Sequence, residues 1–160
     1  MNIYLIRHGE SETAKDNKPD EERELTENGI QILKASAAFW KNYISHFDII
    51  LSSPLRRALQ TAYILKEVFN VQAAVMKENS LLNGGLTGDL LTLAGSLELE
   101  EIAMIGHQPD LGIHIAGMTG ANESNLKIPP ASIAKIRFKD RPVMGKGILE
   151  FLLPPINKKG

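Results

Sequence analysis

Residues 3–10 read Ile3-Tyr4-Leu5-Ile6-Arg7-His8-Gly9-Glu10, four apolar residues without strict alternation running into a basic pair and a glycine. A short apolar run of this kind suits a strand buried on both faces, as in a parallel sheet covered by helices. Residues 48–52 repeat the character, and residues 71–76 and 102–105 are weaker examples. Between them the periodicity turns helical. Ile30, Leu33, Ala37, Trp40 and Ile44 share a stripe, with Thr26 as the expected N-cap, although Gly29 stands where a capping box places glutamate. Leu55, Ala58, Ala62, Leu65 and Phe69 share the face of a second helix, for which Ser53 is the expected cap and Pro54 the first helical residue. A third helix is expected across 87–99, after the turn Asn83-Gly84-Gly85, and a short fourth one after Pro109, capped by Asp110. Residues 131–138 and 147–153 read as a hairpin-like pair of strands. Strands alternating with helices predict an α/β fold, a three-layer sandwich with a mostly parallel central sheet and helices on both faces. With 160 residues and no repeat or convincing linker, residues 1–160 are expected to form a single domain.

Composition narrows the function classes. Hydrophobic residues make up 43% and charged residues 23% of the chain, an ordinary globular balance. A net charge of −1 argues against a nucleic-acid partner held by bulk basicity, so any affinity for anions must come from a local cluster. No apolar run approaches the roughly 18 residues of a membrane span. Arg7 interrupts any secretory h-region at the amino terminus. The absence of cysteine excludes disulfides, thiolate catalysis and cysteine-ligated metal. The expectation is a cytoplasmic protein with no membrane and no nucleic-acid partner.

In open parallel sheets, ligands sit beyond the carboxyl ends of the strands. Arg7, His8, Arg57 and His107 all fall at such ends or in the loops just after them. Two histidines and two arginines are suited to phosphoryl transfer. A neutral imidazole, with an unperturbed pKa of about 6.5, is a competent nucleophile at neutral pH. Guanidinium forks hold a phosphate and stabilise the charge spread over its oxygens during transfer. The nucleophile's other ring nitrogen needs an acceptor, for which a backbone carbonyl near Gly9 is available. Gly9 itself is expected to let the loop turn tightly and to keep side-chain bulk away from the phosphate. Arg56 and Arg57 compete for one role, because neighbouring helical residues point about 100° apart. Ser11 and Glu10 are candidates for touching phosphate or orienting His8. His46 and His114 stand outside any motif and are assigned structural roles. The charged segment 15–24, which contains Pro19, is expected to be an exposed loop bordering substrate.

These motifs carry a resemblance. Arg7-His8-Gly9 after the first strand resembles the signature of the histidine phosphatase superfamily, which includes the phosphoglycerate mutases. Ser53-Pro54-Leu55-Arg56-Arg57-Ala58-Leu59-Gln60-Thr61-Ala62 is similar to that family's second-strand motif, whose register assigns the phosphate to Arg57 and leaves Arg56 to the surface. Ile105-Gly106-His107-Gln108-Pro109 is similar to its second-histidine motif, and Leu25-Thr26-Glu27-Asn28-Gly29 to a helix start found across the family. Ala131-Ser132-Ile133-Ala134 and Gly147-Ile148-Leu149-Glu150-Phe151 resemble the closing strands of the small SixA-type phosphohistidine phosphatases. The four motifs occur in order and in context.

The resemblance implies a phosphoglycerate mutase-like fold with no large cap. It implies a metal-independent phosphatase needing no cofactor, with His8 as the residue that becomes phosphorylated. Arg7, Arg57 and a protonated His107 are then the catalytic partners, and Arg7, Gly9, Arg57, His107 and Ser11 surround the phosphate. The expected partner is a phosphohistidine-bearing protein, of signalling or phosphocarrier type, or a small phosphorylated substrate. Relatives acting on alkyl phosphates use an acid placed after the third strand. Here residues 77–84 offer Glu78 early and Ser80 where an acid is expected, with Asp89 further on. A phosphoramidate demands less of an enzymic acid, because its leaving imidazole can be protonated beforehand. That favours phosphohistidine over a phosphomonoester whose acid would be Glu78 or Asp89. A binding-only regulatory module is the remaining alternative.

Overall fold

The structure is a computed structural model that describes residues 1–122 and 126–157. Its elements run β1 (Asn2–Arg7), α1 (Glu27–Trp40), β2 (Ile49–Ser52), α2 (Arg56–Val68), β3 (Met76–Lys77), α3 (Thr87–Leu97), β4 (Glu101–Gly106), α4 (Asp110–Thr119), β5 (Ile133–Arg137) and β6 (Ile148–Leu153). The six strands form one sheet in the order β3-β2-β4-β1-β5-β6. β1 pairs in parallel with β4, and β2 with both β4 and β3, while β5 runs antiparallel to β1 and β6 antiparallel to β5. The predicted mixed, mainly parallel α/β sheet is therefore present, with the hairpin-like pair at one edge.

Two layers of helix follow from the two-residue period of the strands. Tyr4, Ile6, Ile50, Ala103, Ile105 and Ile133 face α1 and α2, packing on Leu33, Ala37 and Trp40 and on Ala58, Ala62 and Leu65. Ile3, Leu5, Leu51, Ile102, Met104 and Ile136 face α3 and α4, packing on Leu90 and Ala94 and on Leu111, Ile115 and Met118. Burial on both faces explains why β1, β2 and β4 read as continuous apolar runs. Each fully buried aliphatic side chain contributes about 1.5–3 kcal/mol. No helix among the described residues is long and apolar enough to cross a membrane.

Several local expectations need correction. The third strand shrinks from 71–76 to the exposed pair Met76–Lys77. Lys66 Nζ donates instead to the carbonyls of Val71 (2.6 Å) and Ala73 (2.7 Å), satisfying backbone that a longer strand would have paired. Ser53 does not cap α2: the N-cap is Leu55, without a side-chain bond, and the first helical residue is Arg56, not Pro54. Asp110 is the first residue of α4 instead of its cap, and its carboxylate accepts from the Gly84 N–H at 2.6 Å. α1 ends at Trp40, so Ile44 is buried beyond the helix, and α3 ends at Leu97.

Thr26 does cap α1, accepting from Gly29 N–H at 2.9 Å. Its own N–H donates to the Glu10 carbonyl at 3.0 Å, and its hydroxyl to the Glu10 carboxylate at 2.6 Å. The start of α1 is thereby fastened to the loop that follows β1. Gly29 permits this approach, because a Cβ there would lie 2.2 Å from the Glu10 carbonyl oxygen. Gly29→Ala is expected to destabilise the protein by about 1–3 kcal/mol through overpacking. Thermal unfolding should show Tm falling by about 2–4 °C per kcal/mol. An unchanged Tm would mean that the two segments separate freely.

Candidate active site

The loops at the carboxyl ends of β1, β2 and β4 meet at an open cavity of about 420 Å³, lined among others by Arg7, His8, Ser11, Arg57 and His107. Strand register brings the histidines together. Arg7 is the Cα partner of Gly106, so His8 and His107 leave neighbouring strands side by side, with ring centroids 5.1 Å apart. The His8 N–H donates to the Gly106 carbonyl at 3.3 Å, and the Ala131 N–H donates to the carbonyls of both Arg7 (3.2 Å) and His8 (3.1 Å). The loop that carries His8 is thus held on both sides.

The side chains have defined hydrogen-bond roles. His8 Nδ1 donates to the Gly9 carbonyl at 2.7 Å. That fixes the proton on Nδ1 and leaves the lone pair on Nε2. Arg57, in the first turn of α2, is buried with 6% of its surface exposed. Its Nη1 donates to the Asp20 carbonyl at 2.9 Å and its Nη2 to the Asp20 carboxylate at 3.2 Å. Arg7 Nη1 donates to the Ile128 carbonyl at 2.7 Å. His107 Nε2 pairs with Ser53 Oγ at 2.7 Å, and Ser53 Oγ accepts from Leu55 N–H at 3.3 Å. A serine hydroxyl both donates and accepts, so this pair forms with either tautomer of a neutral His107. His107 Nδ1 and Arg7 Nε are both buried without a partner.

Electrostatics keep both rings neutral. Burial, reinforced by His107, Arg57 and Arg7, pushes His8 down to about 3 against the backbone bond to Gly9. Burial and then Arg57 push His107 down to about 4, with Asp20 and Asp110 acting in the opposite direction. His107, expected to be protonated beside a bound phosphate, is neutral at pH 7 in the free pocket.

Other expected residues are placed as follows. Ser11 lines the cavity, and its Oγ accepts from Arg23 Nη2 at 3.2 Å. Glu10 also lines it, with its carboxylate turned to Thr26. Gly9 does not act as supposed. Its N–H is taken by Thr61 Oγ1 at 3.1 Å, and a Cβ there would meet Leu25 Cδ2 at 3.3 Å, so the space its small size protects is the packing toward Leu25. Arg56 faces outward in an ion pair with Glu24 at 2.8 Å. Glu78 is tied up in capping the Ser80 N–H at 3.0 Å, Asp89 is exposed, and neither lines the cavity. His46 bonds Ser45 in an exposed loop, while His114 is buried against Thr87 Oγ1 at 2.8 Å.

Sequence reasoning missed Asp20, Arg23, Asn83 and Gln108, all of which line the cavity. Segment 15–24 had been expected at its border, but no single residue within it stood out. Arg23 is placed there by the bridge between Leu25 and Ser11, a pairing that no sequence signal announces. Among the described residues, no group of three or more His, Asp or Glu side chains is placed to hold a metal ion.

Comparison with known proteins bears on this geometry. The family model described as histidine phosphatase superfamily (branch 1) matches residues 3–81. An uncharacterized protein of Picosynechococcus is 34% identical over 146 residues, covering 86% of this chain and 85% of that protein. The phosphohistidine phosphatase SixA of Escherichia coli is 25% identical over 162 residues, covering 99% of this chain and 97% of its own length. The solved structure of a protein histidine phosphatase SixA complexed with tungstate superposes with a TM-score of 0.85 at 24% identity, covering 96% of this chain and 97% of that one. At that identity the likeness shows a shared fold.

Both histidine shifts can be checked by titration. The imidazole NMR signals of His8 and His107 are expected to stay neutral from pH 8 to 5 in the free protein. Their pKa values of about 3 and about 4 lie below the unfolded value near 6.5. The unfolded chain therefore binds more protons below about 6.5, and stability is lost as pH falls from there toward 4. A Tm that does not drop between pH 7 and pH 5 would contradict the buried, neutral assignment.

Proposed function

Since the chain belongs to the histidine phosphatase superfamily, we propose that it is a metal-independent phosphatase that removes the phosphoryl group from phosphohistidine on a signalling or phosphocarrier protein. The observation that carries the reading is the neutral His8 ring, its Nδ1 fixed on the Gly9 carbonyl at 2.7 Å, in a cavity that also holds Arg7, Arg57 and His107. His8 Nε2 attacks phosphorus in line, forming a new P–N bond while the bond to the substrate imidazole breaks. The departing ring leaves with its proton already in place. Water then cleaves the P–N bond on His8, releasing inorganic phosphate and restoring the neutral ring. Arg7, Arg57 and His107 stabilise the transferring oxygens.

Two features favour phosphohistidine on a macromolecule. Glu78 and Asp89, the acids expected to serve a phosphomonoester, lie outside the cavity, while of the acids that line it Glu10 bonds the Thr26 hydroxyl and Asp20 pairs with Arg57. In addition, the cavity shares Glu10 with a neighbouring cleft of about 750 Å³ along α1, lined by Asn28, Gln31 and Lys34 among others. Such a cleft leaves room for polypeptide on either side of a phosphorylated histidine.

The test is phosphate release from a histidine-phosphorylated carrier protein and from p-nitrophenyl phosphate, both with EDTA present. Phosphoprotein turnover should survive the chelator and vanish in His8→Ala. Arg57→Ala should lower kcat by about 10²–10³-fold, as loss of a charge-stabilising donor does. Turnover confined to the small ester would instead indicate a small-molecule phosphatase, and no turnover of either a binding module. A separate prediction concerns the cleft. Lys34→Glu is expected to raise KM for the phosphoprotein and leave p-nitrophenyl phosphate kinetics unchanged; a parallel loss on both substrates would remove the cleft from recognition.

A further inference from the structure

Segment 15–24 reaches over the cavity through a short 3-10 turn, Asp20–Glu22. Arg23 anchors that turn, with Nε donating to the Glu12 carbonyl at 2.8 Å and Nη1 to Asp20 Oδ1 at 2.7 Å. Asp20 then presents its carbonyl to Arg57 Nη1 at 2.9 Å and its second carboxylate oxygen to Nη2 at 3.2 Å. Two oxygens on two guanidinium nitrogens is the fork by which an arginine also holds a phosphate. The partners differ in setting, since the Asp20 side chain is 58% exposed and that of Arg57 only 7%. A loop carboxylate thus sits on a buried cation at the cavity that both residues line.

We propose that Asp20 is an anion gate, its carboxylate occupying Arg57 in the empty pocket and being displaced from it by the incoming phosphoryl group. The inference rests on the reading that the cavity receives phosphate. A dianion on Arg57 Nη2 and a carboxylate on the same nitrogen would lie within a few ångströms of each other and repel. Asp20 is ionised for this role, because Arg23 first and Arg57 second hold its carboxyl below the usual carboxylate range. A half-exposed carboxylate makes a weak pair and exchanges readily. The gate keeps a buried guanidinium paired when the pocket is empty, and it weakens retention of the phosphate released at the end of each cycle. It acts on the affinity for anions, leaving the nucleophile to His8.

The test measures inorganic phosphate binding by calorimetry to the full chain, without turnover, for wild type, Asp20→Asn and Glu21→Gln. Glu21 lies on the same turn, and no hydrogen bond or ion pair links it to Arg57. Asp20→Asn is expected to tighten phosphate about fivefold and to strengthen product inhibition equally, with Glu21→Gln unchanged. Asp20→Ser, a smaller neutral replacement, should give the same direction and covers the case of a misfolded Asn variant. Unchanged or weaker phosphate binding in a folded Asp20 variant overturns the gate and makes Asp20 a support for Arg57. Equal tightening by Glu21→Gln overturns it as a bulk-charge effect. If folded wild type binds no phosphate, the gate and the phosphate-pocket reading fall together. Intact turnover with unaltered phosphate affinity removes the gate alone.

Discussion

Six consecutive pairs, Asn2 with Glu101 through Arg7 with Gly106, tie β1 to β4 in parallel, and the pocket depends on that register. The side-chain period of a strand is two, so a slip of one residue would turn Tyr4 and Ile6 away from the α1–α2 layer and expose the wrong face to each core. The same slip would part His8 from His107, whose adjacency follows from the last pair of the ladder. Two buried cores therefore defend the placement of the two histidines at the cavity. Residues such as Ile105 and Met104, on opposite faces, contribute to the site without touching it. Catalytic geometry and apolar packing are here one constraint.

Concentrating cationic groups in a buried pocket works against folding. Arg57 and His107 are nearly fully buried and His8 almost as much so. The fold reduces the cost in three ways. Both imidazoles remain neutral, with burial as the leading cause. Arg7 and Arg57 direct Nη1 groups onto the carbonyls of Ile128 and Asp20. Asp20 adds a carboxylate that can leave. Arg7 Nε and His107 Nδ1 stay without a hydrogen-bond partner. Departures of this kind from full pairing are expected at functional sites more than in packed cores.

The fold was legible in the sequence where burial dominates. The apolar runs of β1, β2 and β4 and the stripes of α1 and α2 have no other use, so their reading needed no tertiary knowledge. Thr26 was legible as a cap because its partner, Gly29, is local. Ser53 was misread for the opposite reason. Serine before proline looks like a helix start, but the strand carries His107 against it and the hydroxyl serves the ring at 2.7 Å. The strand expected over 71–76 failed because Lys66, several residues earlier, satisfies the carbonyls there. Asp20 and Arg23 were hidden by their surroundings, since a run of charged residues in a loop reads as solvated surface. Only the folded chain shows that Arg57 lies beneath them.

The placement of carboxylates separates two kinds of chemistry on this scaffold. Glu78 is drawn out of reach by a local bond, since its side chain caps the turn Asn79–Leu81 through the Ser80 N–H. The following turn, fixed by the Asp110 bond to Gly84, carries Asn83 to the cavity wall, and Gln108 arrives from the loop after β4. Amides can orient a substrate, but they cannot protonate an alkoxide leaving group. Of the two carboxylates that line the cavity, Asp20 is held ionised by Arg23 and Arg57, and that of Glu10 is turned to the start of α1, accepting from the Thr26 hydroxyl at 2.6 Å. A pocket built this way handles a leaving group that brings its own proton, and an imidazole bound to phosphorus is such a group. On the proposed reading, substrate choice is therefore set by which polar groups the loops place on the wall, while the strand ends supply the nucleophile and the charge.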